Sequence, residues 1–570
     1  MQGEPFMART GARALLDALR NNEAEYIFGI PGTLTLPLYD ALIDFPIEPI
    51  VTRHEQGAGF AADAYAKVSG KIGVVFTVPG PGGTNLATPL QSAWEDSVPM
   101  VAITSALADA MRNRSAIHDV DMENALRTCV KTVLVPDSVA GIPPAVDAAF
   151  RWAAEGRPGP VQVVIKTNLF RAEEERVLRA PEFPLPEDAP RASEADLDRA
   201  AEMLLEAKRP VIYAGFGAVA AGCGREIQLL GSKLGAPVVT SIKGRGLLSE
   251  ADPLSFGVAT FEGCEDMLSE ADACLAIGTG FGQFATQYFK IPIPENLIQI
   301  DIDPARIGRN YPPSLGIVAN ARDALAGLLK RFEAMDERPP GEGHFRVRTS
   351  KVVYAERLRA YMDKPAQPPF DGLFVMKTIR DGFSPDAIFI SDSSATESWL
   401  MEQAFEIYRP RSILLSEAYQ SMGYAVGAAY GAKLGAPERP VCAIVGDGSF
   451  VMSCGELATA VSLGLDLTYI VFNDGQFNAL RHSQKYVYGE RYTGTEINSP
   501  DFAALASAFG ATGHRIESDQ DLAGAIARAQ AGGGVHVIDC PIDKDSLSSR
   551  WRRSVKTFAA DPASAESAKR

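Results

Sequence analysis

Two glycine-containing turns carry the clearest chemical signal in the sequence. Gly446-Asp447-Gly448 follows the apolar strand PVCAIVG, and Asn473-Asp474-Gly475 follows the next strand, DLTYIVF. Doubly wound sheets bind their ligands at the carboxyl ends of the strands, where both turns lie. Glycines in such a turn let backbone N–H groups approach a phosphate, and the N-terminus of a following helix favours an anion. We therefore expect a phosphorylated ligand at this edge of a sheet.

The side chains in these turns suit a divalent metal. Asp447 and the side-chain oxygen of Asn473 are hard oxygen ligands, and the backbone carbonyl of Gly475 offers a third. Mg²⁺ binds such oxygens in an octahedron that phosphate oxygens and water complete. Either turn by itself is an ordinary turn signal. Together they predict a magnesium site beside the phosphate.

Strands and helices alternate along the chain in three units that proline-bearing stretches separate. The first stretch, residues 180–192, is rich in proline and acid, and the second, residues 336–370, contains a short predicted helix. Alternation of this kind implies parallel sheets with helices on both faces. The predicted fold class is α/β, with three tandem doubly wound parallel-sheet domains. We place the domains at residues 1–185, 194–340 and 365–550.

Composition excludes several functional classes. The chain has 570 residues, a formal net charge of −16 and an isoelectric point of about 5.0, which argues against nucleic acid as a partner. No apolar run reaches the ~18 residues that a membrane-spanning helix needs. The seven cysteines form no CxxC pair, and the N-terminus does not have the pattern of a signal peptide. A reduced, cytoplasmic setting is therefore expected.

The chain resembles the acetolactate synthase-like branch of the thiamine-diphosphate enzymes over about residues 10–545. The spacing of the two turns, with 24 residues between Gly448 and Asn473, is similar to the diphosphate and metal motif of that family. The other blocks that carry the resemblance are FGIPGTLTLPLYDAL, RHEQGAGFAADAYAKVSGKIGVV, PGPGGTNLATPL, GRPGPVQVVI, IQIDIDPARIGRN, YQSMGYAVGAAYGAKL and VGDGSFVMSCGELATA. The family has three α/β domains: one for the pyrimidine, a middle one, and one for the diphosphate.

The resemblance implies roles for individual residues. Glu55 matches the catalytic glutamate that bonds to the aminopyrimidine and so helps to remove the proton from the thiazolium carbon. Met422 matches an apolar residue that holds the cofactor in a bent conformation. The remaining residues implied to contact the cofactor are Pro81, Asn85, Ala395, Thr396, Gln420, Gly446, Gly448 and Ser449. The implied metal ligands are Asp447, Asn473 and Gly475.

The resemblance also implies an activity. With thiamine diphosphate and Mg²⁺ bound, a 2-oxo acid would lose carbon dioxide, and the remaining acyl unit would be joined to a second carbonyl compound. Small molecules would thus be the partners, with no nucleic acid and no membrane. The enzyme would be a homodimer or homotetramer in which Glu55 of one chain faces the diphosphate site of another.

Departures from the acetolactate synthase pattern leave the reaction's outcome open. Gly280 lies near the position of an arginine that meets a substrate carboxylate, and Ser483 takes the place of a tryptophan. His118 replaces a glutamine near the reacting centre, where it could donate a proton. We interpret His482, which precedes Ser483, as a structural residue and Arg481 as a solvated one. Losing a charge clamp and a bulky wall should change which acceptor fits.

Three alternatives therefore stand beside carboligation. The chain could be a simple 2-oxo acid decarboxylase or an aldehyde lyase, which Glu55 would serve equally. It could be a flavin-dependent 2-oxo acid oxidase, because the glycines at the strand ends of the middle unit could accommodate the nucleotide of FAD. The stretch GFGAVAAGCG is, however, a poor match to GxGxxG. It could also be a relative that has lost catalysis, against which the presence of Glu55, Asp447 and Asn473 speaks.

Overall fold

The structure is a computed structural model that describes residues 9–173, 182–339, 341–363 and 366–553. Contacts within the chain divide it into two compact units. The first unit takes the chain up to Asp188, together with Tyr419–Pro437 and Ser453–Leu463. The second unit takes Ala189–Ala418, Glu438–Met452 and the chain from Gly464 onward. The first two residues of the predicted linker at 180–192 lie outside the described residues.

The first unit is built on a six-stranded parallel sheet in the order β2-β1-β3-β4-β6-β5. Its strands are β1 Tyr26–Gly29, β2 Glu48–Val51, β3 Gly73–Thr77, β4 Met100–Ala106, β5 Val133–Leu134 and β6 Pro160–Lys166. Strands β3 and β4 are buried along their whole length, as apolar runs covered by helices on both faces should be. On one face Leu15, Phe76 and Val146 belong to a single apolar core.

Helices flank this sheet and come from three parts of the chain. They are α1 Gly11–Asn21, α2 Leu36–Leu42, α3 Glu55–Ser69, α4 Pro81–Thr84, α5 Ala87–Asp96, α6 Met122–Ala125, α7 Ile142–Ala154, α16 Tyr424–Gly435 and α18 Leu457–Ser462. Helix α3 begins after His54, whose ring accepts a hydrogen bond from the Gln56 N–H, and ends at Gly70 in the left-handed conformation. These two caps fix where α3 begins and ends.

The second unit contains two further parallel sheets, the first of which has the order β12-β11-β10-β7-β8-β9. Its strands are β7 Pro210–Ala214, β8 Val238–Thr240, β9 Ser255–Val258, β10 Ala273–Ile277, β11 Leu297–Asp301 and β12 Leu315–Val318. Its helices are α8 Glu194–Glu206, α9 Phe216–Ala220, α10 Gly224–Leu234, α11 Cys264–Glu270, α12 Ala321–Arg331 and α13 Glu342–Met362. The order is the doubly wound one, in which the strand sequence reverses between β7 and β10.

The third sheet has the order β14-β13-β15-β16-β18-β17, which repeats the connectivity of the first sheet. Its strands are β13 Ile388–Ser391, β14 Ile413–Leu414, β15 Val441–Gly446, β16 Leu467–Asn473, β17 Thr512–Arg515 and β18 Val535–Pro541. Its helices are α14 Gly372–Gly382, α15 Ala395–Leu400, α17 Asp447–Ser453, α19 Asn478–Tyr486, α20 Phe502–Ala508 and α21 Asp519–Gly532. In the first sheet the chain reverses between β1 and β3, and here it reverses between β13 and β15.

The predicted fold class is confirmed, because three parallel sheets carry helices on their faces. Two local predictions differ from the structure in extent. The helix predicted over residues 455–465 is the shorter α18, which follows a 3-10 turn at Cys454–Glu456, and a further helix, α17, begins at Asp447. The short helix expected in the stretch 336–370 is α13, which has 21 residues. None of the helices within the described ranges is long and apolar enough to cross a membrane.

Candidate active site

Glu55 lies at the edge of the first sheet where the strands end. It is the first residue of α3, which follows β2, and the side-chain amide of Asn85 donates a 2.9 Å hydrogen bond to its Oε2. A Cβ placed on Gly82 would lie 3.2 Å from Glu55 Oε1, so the carboxylate sits against the turn that begins at Pro81. This turn follows β3, beside the point where the strand order reverses. The predicted residues Glu55, Pro81 and Asn85 therefore form one cluster.

The backbone before Glu55 is held by a buried carboxylate that no sequence motif indicates. Glu456 is 2% exposed, and its Oε1 accepts hydrogen bonds from the N–H groups of Arg53 (3.0 Å) and His54 (2.8 Å). Its Oε2 accepts from the hydroxyls of Tyr430 (3.1 Å) and Thr459 (2.9 Å). Burial raises the pKa of Glu456, an effect that the four donors oppose. Because 403 positions separate Glu456 from Arg53, only the tertiary fold brings them together.

His118 lies against the same turn. A Cβ placed on Gly80 would come within 3.1 Å of the His118 Cα and Cβ atoms. The backbone of His118 has a φ of +68°, a conformation that costs a non-glycine residue about 1–2 kcal/mol. Its ring Nδ1 is buried and has no hydrogen-bond partner among the described residues. The fold thus holds His118 in a strained backbone conformation next to the turn that contacts Glu55.

Gln420 and Met422 precede α16 in the first unit. Gln420 adopts a φ of +57°, and Gly423 caps the helix at a φ of +81°. Helix α16 is fixed to α3 by the Tyr424 hydroxyl, which donates a 2.8 Å hydrogen bond to Asp63. Because α3 also carries Glu55, the loop with Gln420 and Met422 has a fixed position relative to that carboxylate.

The predicted diphosphate residues flank the corresponding reversal in the third sheet. A Cβ placed on Gly446, at the end of β15, would lie 3.5 Å from Ser394 Oγ in the loop after β13. Ser394 caps α15, since its hydroxyl accepts a 3.2 Å hydrogen bond from the N–H of Thr396. The loop with Ala395 and Thr396 and the loop with Gly446, Gly448 and Ser449 therefore face each other.

Asp447 joins the two predicted metal-binding turns. It is 1% exposed, and its Oδ2 accepts hydrogen bonds from the Gly475 N–H (2.8 Å) and the Ser499 hydroxyl (2.7 Å). Its Oδ1 accepts from the Gly448 N–H at 2.8 Å. Burial raises the pKa of Asp447, against the effect of these three donors. A carboxylate offers about four lone-pair positions, so room for a cation remains.

Asn473 and Gly475 complete the predicted ligand set. The Asn473 amide nitrogen donates a 2.9 Å hydrogen bond to Asp539, which leaves its oxygen as the atom suited to a metal. Gly475 has a φ of +67°, and its carbonyl accepts a 3.0 Å hydrogen bond from the Ile497 N–H, so one lone pair of that oxygen is taken. Within the described residues no group of three or more His, Cys, Asp or Glu could hold a metal. The set accordingly combines one carboxylate with amide and carbonyl oxygens.

The second unit offers a polar cradle that fits a magnesium diphosphate. Ser449 is 1% exposed, and its hydroxyl is buried without a hydrogen-bond partner in the part of the chain that the structure describes. An unmet hydroxyl costs about 1–3 kcal/mol unless a ligand completes its hydrogen bonds. The buried Asp447 carboxylate lies two residues away in the first turn of α17. An anionic ligand carrying a divalent cation would satisfy both groups.

The positions that depart from the acetolactate synthase pattern have ordinary surroundings. Arg306 lies beside Gly280, because a Cβ placed on that glycine would be 3.2 Å from the Arg306 Nη1. The Ser483 hydroxyl donates to the Ala479 carbonyl within α19 at 3.1 Å. His482 is 1% exposed and its Nε2 lies 3.0 Å from the Lys544 carbonyl. Arg481 is 9% exposed and pairs with Asp545 at 3.0 Å, so the expectation of a solvated arginine was wrong.

Comparison with known proteins gives the family. The thiamine pyrophosphate enzyme N-terminal TPP binding domain matches residues 9–125, the central domain matches 197–328, and the C-terminal TPP binding domain matches 392–540. The acetolactate synthase large subunit of Corynebacterium glutamicum is 34% identical over 533 residues, which cover 91% of this chain and 84% of that protein.

Two further relatives differ in their names. An acetolactate synthase of Mycobacterium bovis is 32% identical over 554 residues, which cover 94% of this chain and 88% of the relative. A probable 2-ketoarginine decarboxylase of Pseudomonas aeruginosa is 34% identical over 532 residues, which cover 91% of each chain. None of these matches supports the flavin alternative. The chain belongs to the thiamine-diphosphate-dependent enzymes, in their acetolactate synthase-like branch.

Proposed function

We propose that this enzyme uses thiamine diphosphate and Mg²⁺ to decarboxylate a 2-oxo acid and to join the remaining acyl unit to the carbonyl carbon of a second molecule. When bound, the cofactor supplies the nucleophilic carbon and accepts the electron pair of the bond that releases carbon dioxide. The observation that carries the proposal is the Glu55 carboxylate. Asn85 holds it at 2.9 Å beside the turn after β3, within a unit whose sequence matches a thiamine pyrophosphate domain.

In this proposal Glu55 holds the proton that cofactor activation requires. Asn85 occupies one of its oxygens and leaves the other for the cofactor's pyrimidine. Pro81, Gln420 and Met422 line the pyrimidine, and Glu456 positions the backbone before Glu55 through two N–H groups. A carboxylate fixed in this way can accept and return a proton without moving, which supports general acid–base catalysis.

In the second unit the same proposal assigns the metal to Asp447, Asn473 and Gly475. It assigns the diphosphate to Gly446 and to the first turns of α15 and α17, which contain Ala395, Thr396, Gly448 and Ser449. The buried Ser449 hydroxyl and the close approach of the two loops support this assignment. Asp539 orients the Asn473 amide, and Ser499 orients the Asp447 carboxylate. Mutation of residues that orient metal ligands in this way commonly lowers metal affinity by about 10–100-fold.

His118 is proposed to donate the proton that the product's oxygen needs. Its strained backbone and its position against Gly80 support a role at the reacting centre. The buried Nδ1 has no partner among the described residues, so it is the ring atom whose hydrogen bond remains to be made. If this role is right, His118→Asn should lower kcat more than it raises KM.

Simple decarboxylation is the second candidate. It is favoured by the 34% identity to a probable 2-ketoarginine decarboxylase and by the loss of arginine and tryptophan at Gly280 and Ser483. Protonation of the acyl unit would then replace its transfer, and the product would be an aldehyde.

We also propose a homodimer or homotetramer in the cytoplasm, with active sites shared between chains. Light scattering of the purified protein would give the oligomeric state.

One experiment separates these outcomes. The protein is incubated with thiamine diphosphate, Mg²⁺ and a panel of 2-oxo acids, with and without aldehyde acceptors, and carbon dioxide and product masses are recorded. Carboligation predicts a product whose mass is the sum of the donor acid and the acceptor less one carbon dioxide. An aldehyde as the sole product would replace the first candidate with the second. No carbon dioxide from any donor would contradict both.

A further inference from the structure

Arg550 is a buried cation whose hydrogen bonds are incomplete. It is 6% exposed, and its guanidinium lies 5.2 Å above the ring of Phe284. Nη2 donates a 3.1 Å hydrogen bond to the Phe284 carbonyl. Nη1 is buried and has no partner anywhere in the described ranges. Burial lowers the pKa of Arg550, and the charges of Glu397 and Glu417 oppose this effect, although Arg550 forms no ion pair with a described carboxylate.

A second buried arginine of the same unit shows what a structural arginine looks like here. Arg245 is 1% exposed, and its Nε and Nη2 donate to Glu250 at 2.6 and 2.7 Å. Its Nη1 donates to the Leu400 carbonyl at 2.7 Å, and Nη2 also contacts the Phe405 carbonyl. Every nitrogen of Arg245 is thus used. Arg550 uses only Nη2 among the described residues, and its buried, unsatisfied Nη1 calls for an explanation.

The segment that carries Arg550 is hydrogen-bonded to α15, the helix that holds two of the proposed diphosphate contacts. The Ser548 hydroxyl donates a 2.9 Å hydrogen bond to Ser398, which lies on α15. The first turn of α15 holds Ala395 and Thr396, which we assign to the diphosphate. Glu402 fixes the same segment by accepting from the Ser549 N–H at 2.6 Å. Arg550 therefore lies two residues after a hydrogen bond to the helix that holds the proposed diphosphate contacts, on backbone that Glu402 also fixes.

Resting on the proposed function, we propose that Arg550 binds the carboxylate of a 2-oxo acid that acts as the acyl acceptor. The guanidinium fork matches a carboxylate, and Nη1 is the donor that such a ligand would satisfy. The donor's carboxylate is the poorer partner, because it leaves as neutral carbon dioxide. A cation bound to it would stabilise the ground state more than the transition state and would slow the reaction. The acceptor keeps its carboxylate throughout.

The test compares Arg550→Met and Arg550→Lys in the full chain with thiamine diphosphate and Mg²⁺. The acceptors are 2-oxobutyrate and propanal, which differ by one carboxylate. We expect Arg550→Met to raise KM for 2-oxobutyrate at least about 30-fold, while KM for propanal and the rate of donor decarboxylation stay within about twofold. Arg550→Lys should recover part of the loss, because it restores the charge without the fork. Arg552→Met, which removes an exposed arginine of the same segment, is the control.

Each other outcome has a defined meaning. An equal loss with both acceptors, or no change with either, would overturn the inference. Weaker binding of thiamine diphosphate in Arg550→Met would assign the arginine to the cofactor instead. A wild-type enzyme that decarboxylates but never joins the acyl unit to a 2-oxo acid would overturn it as well. A wild-type protein that is inactive on all donors would instead contradict the proposed function.

Discussion

Asp447, the proposed metal ligand, is a single carboxylate that hydrogen bonds from two turns hold in place. Gly448, Gly475 and Ser499 each donate one hydrogen bond to it, so both turns of the proposed site are already closed around its oxygens. Burial raises the pKa of Asp447, and these donors oppose that effect. The energy that orients the ligand is thus supplied by the fold.

Removing the Asp447 charge should therefore act on cofactor binding. We expect Asp447→Asn to weaken the Mg²⁺-dependent affinity for thiamine diphosphate at least about 100-fold and Ser499→Ala to weaken it about 10-fold. Calorimetric titration at fixed Mg²⁺ measures both. Asp521→Asn removes an exposed carboxylate of the same sheet domain and should leave the affinity unchanged. Wild-type affinity in Asp447→Asn would refute the metal assignment.

His482 should make the stability of the enzyme depend on pH. Burial lowers its pKa from 6.5 to about 4, so the native state keeps the ring neutral while the unfolded chain protonates it. The stability that this neutral ring contributes is present above pH 6.5 and is lost as the pH falls towards 4. By linkage the loss reaches about 2–3 kcal/mol at pH 4.5.

The measurement compares denaturant unfolding of the wild type and His482→Gln between pH 7 and 4.5. Glutamine can still donate to the Lys544 carbonyl, and all other titrating groups are common to both proteins. The difference in unfolding free energy between the two should therefore shift by about 2–3 kcal/mol in favour of the variant. Parallel pH profiles would show that His482 is protonated in the native state.

At the scale of elements, helices α3 and α16 are joined by a buried cluster of charges. Lys67 lies 2.8 Å from Asp63 and 3.1 Å from Asp96, and its Nζ is 3.3 Å from the Tyr424 hydroxyl. The side chains of Asp63 and Asp96 are 0% exposed. Because α3 begins at Glu55 and α16 follows Met422, this cluster sets the spacing of two proposed cofactor contacts.

Breaking the cluster should destabilise the first unit. Lys67→Met leaves two buried carboxylates without their cation, and we expect a loss of about 3–5 kcal/mol in unfolding free energy. Lys71→Met, which breaks a half-exposed pair with Glu25, should cost less than about 1 kcal/mol. Urea unfolding followed by tryptophan fluorescence compares the two. Similar midpoints for both variants would mean that water solvates the cluster.

Some of the elements and contacts could be predicted from the sequence, and others could not. Strand β15 and the turn after it were predictable, because an apolar run that ends in glycine and aspartate is a local signal. Helix α17 was not, because Asp447–Ser453 contains a glycine and mostly weak helix formers, so tertiary contacts outweigh its propensity. Glu456 was missed for another reason. Its function depends on contact with Arg53 and His54, which lie hundreds of positions away.

At the scale of the whole molecule, the first and third sheets share one strand order while the middle sheet has another. The proposed pyrimidine residues flank the reversal in the first sheet, and the proposed diphosphate residues flank the reversal in the third. Alternating strands and helices predicted three parallel sheets. Alternation carries no information on strand order, because order is decided by how crossover helices pack. The resemblance to a family predicted the proposed cofactor residues. It did not predict the contacts of Arg550, which became visible only in the fold.

The measurement that tests the central claim most directly is proton exchange at the reactive carbon of bound thiamine diphosphate. It needs no substrate, so it does not depend on the identity of the 2-oxo acid. In D₂O the wild type with Mg²⁺ should exchange this proton far faster than the free cofactor, and Glu55→Gln should slow the exchange by about 10²–10⁴-fold. Equal exchange rates in the wild type and Glu55→Gln would contradict the role of Glu55 and with it the proposed mechanism.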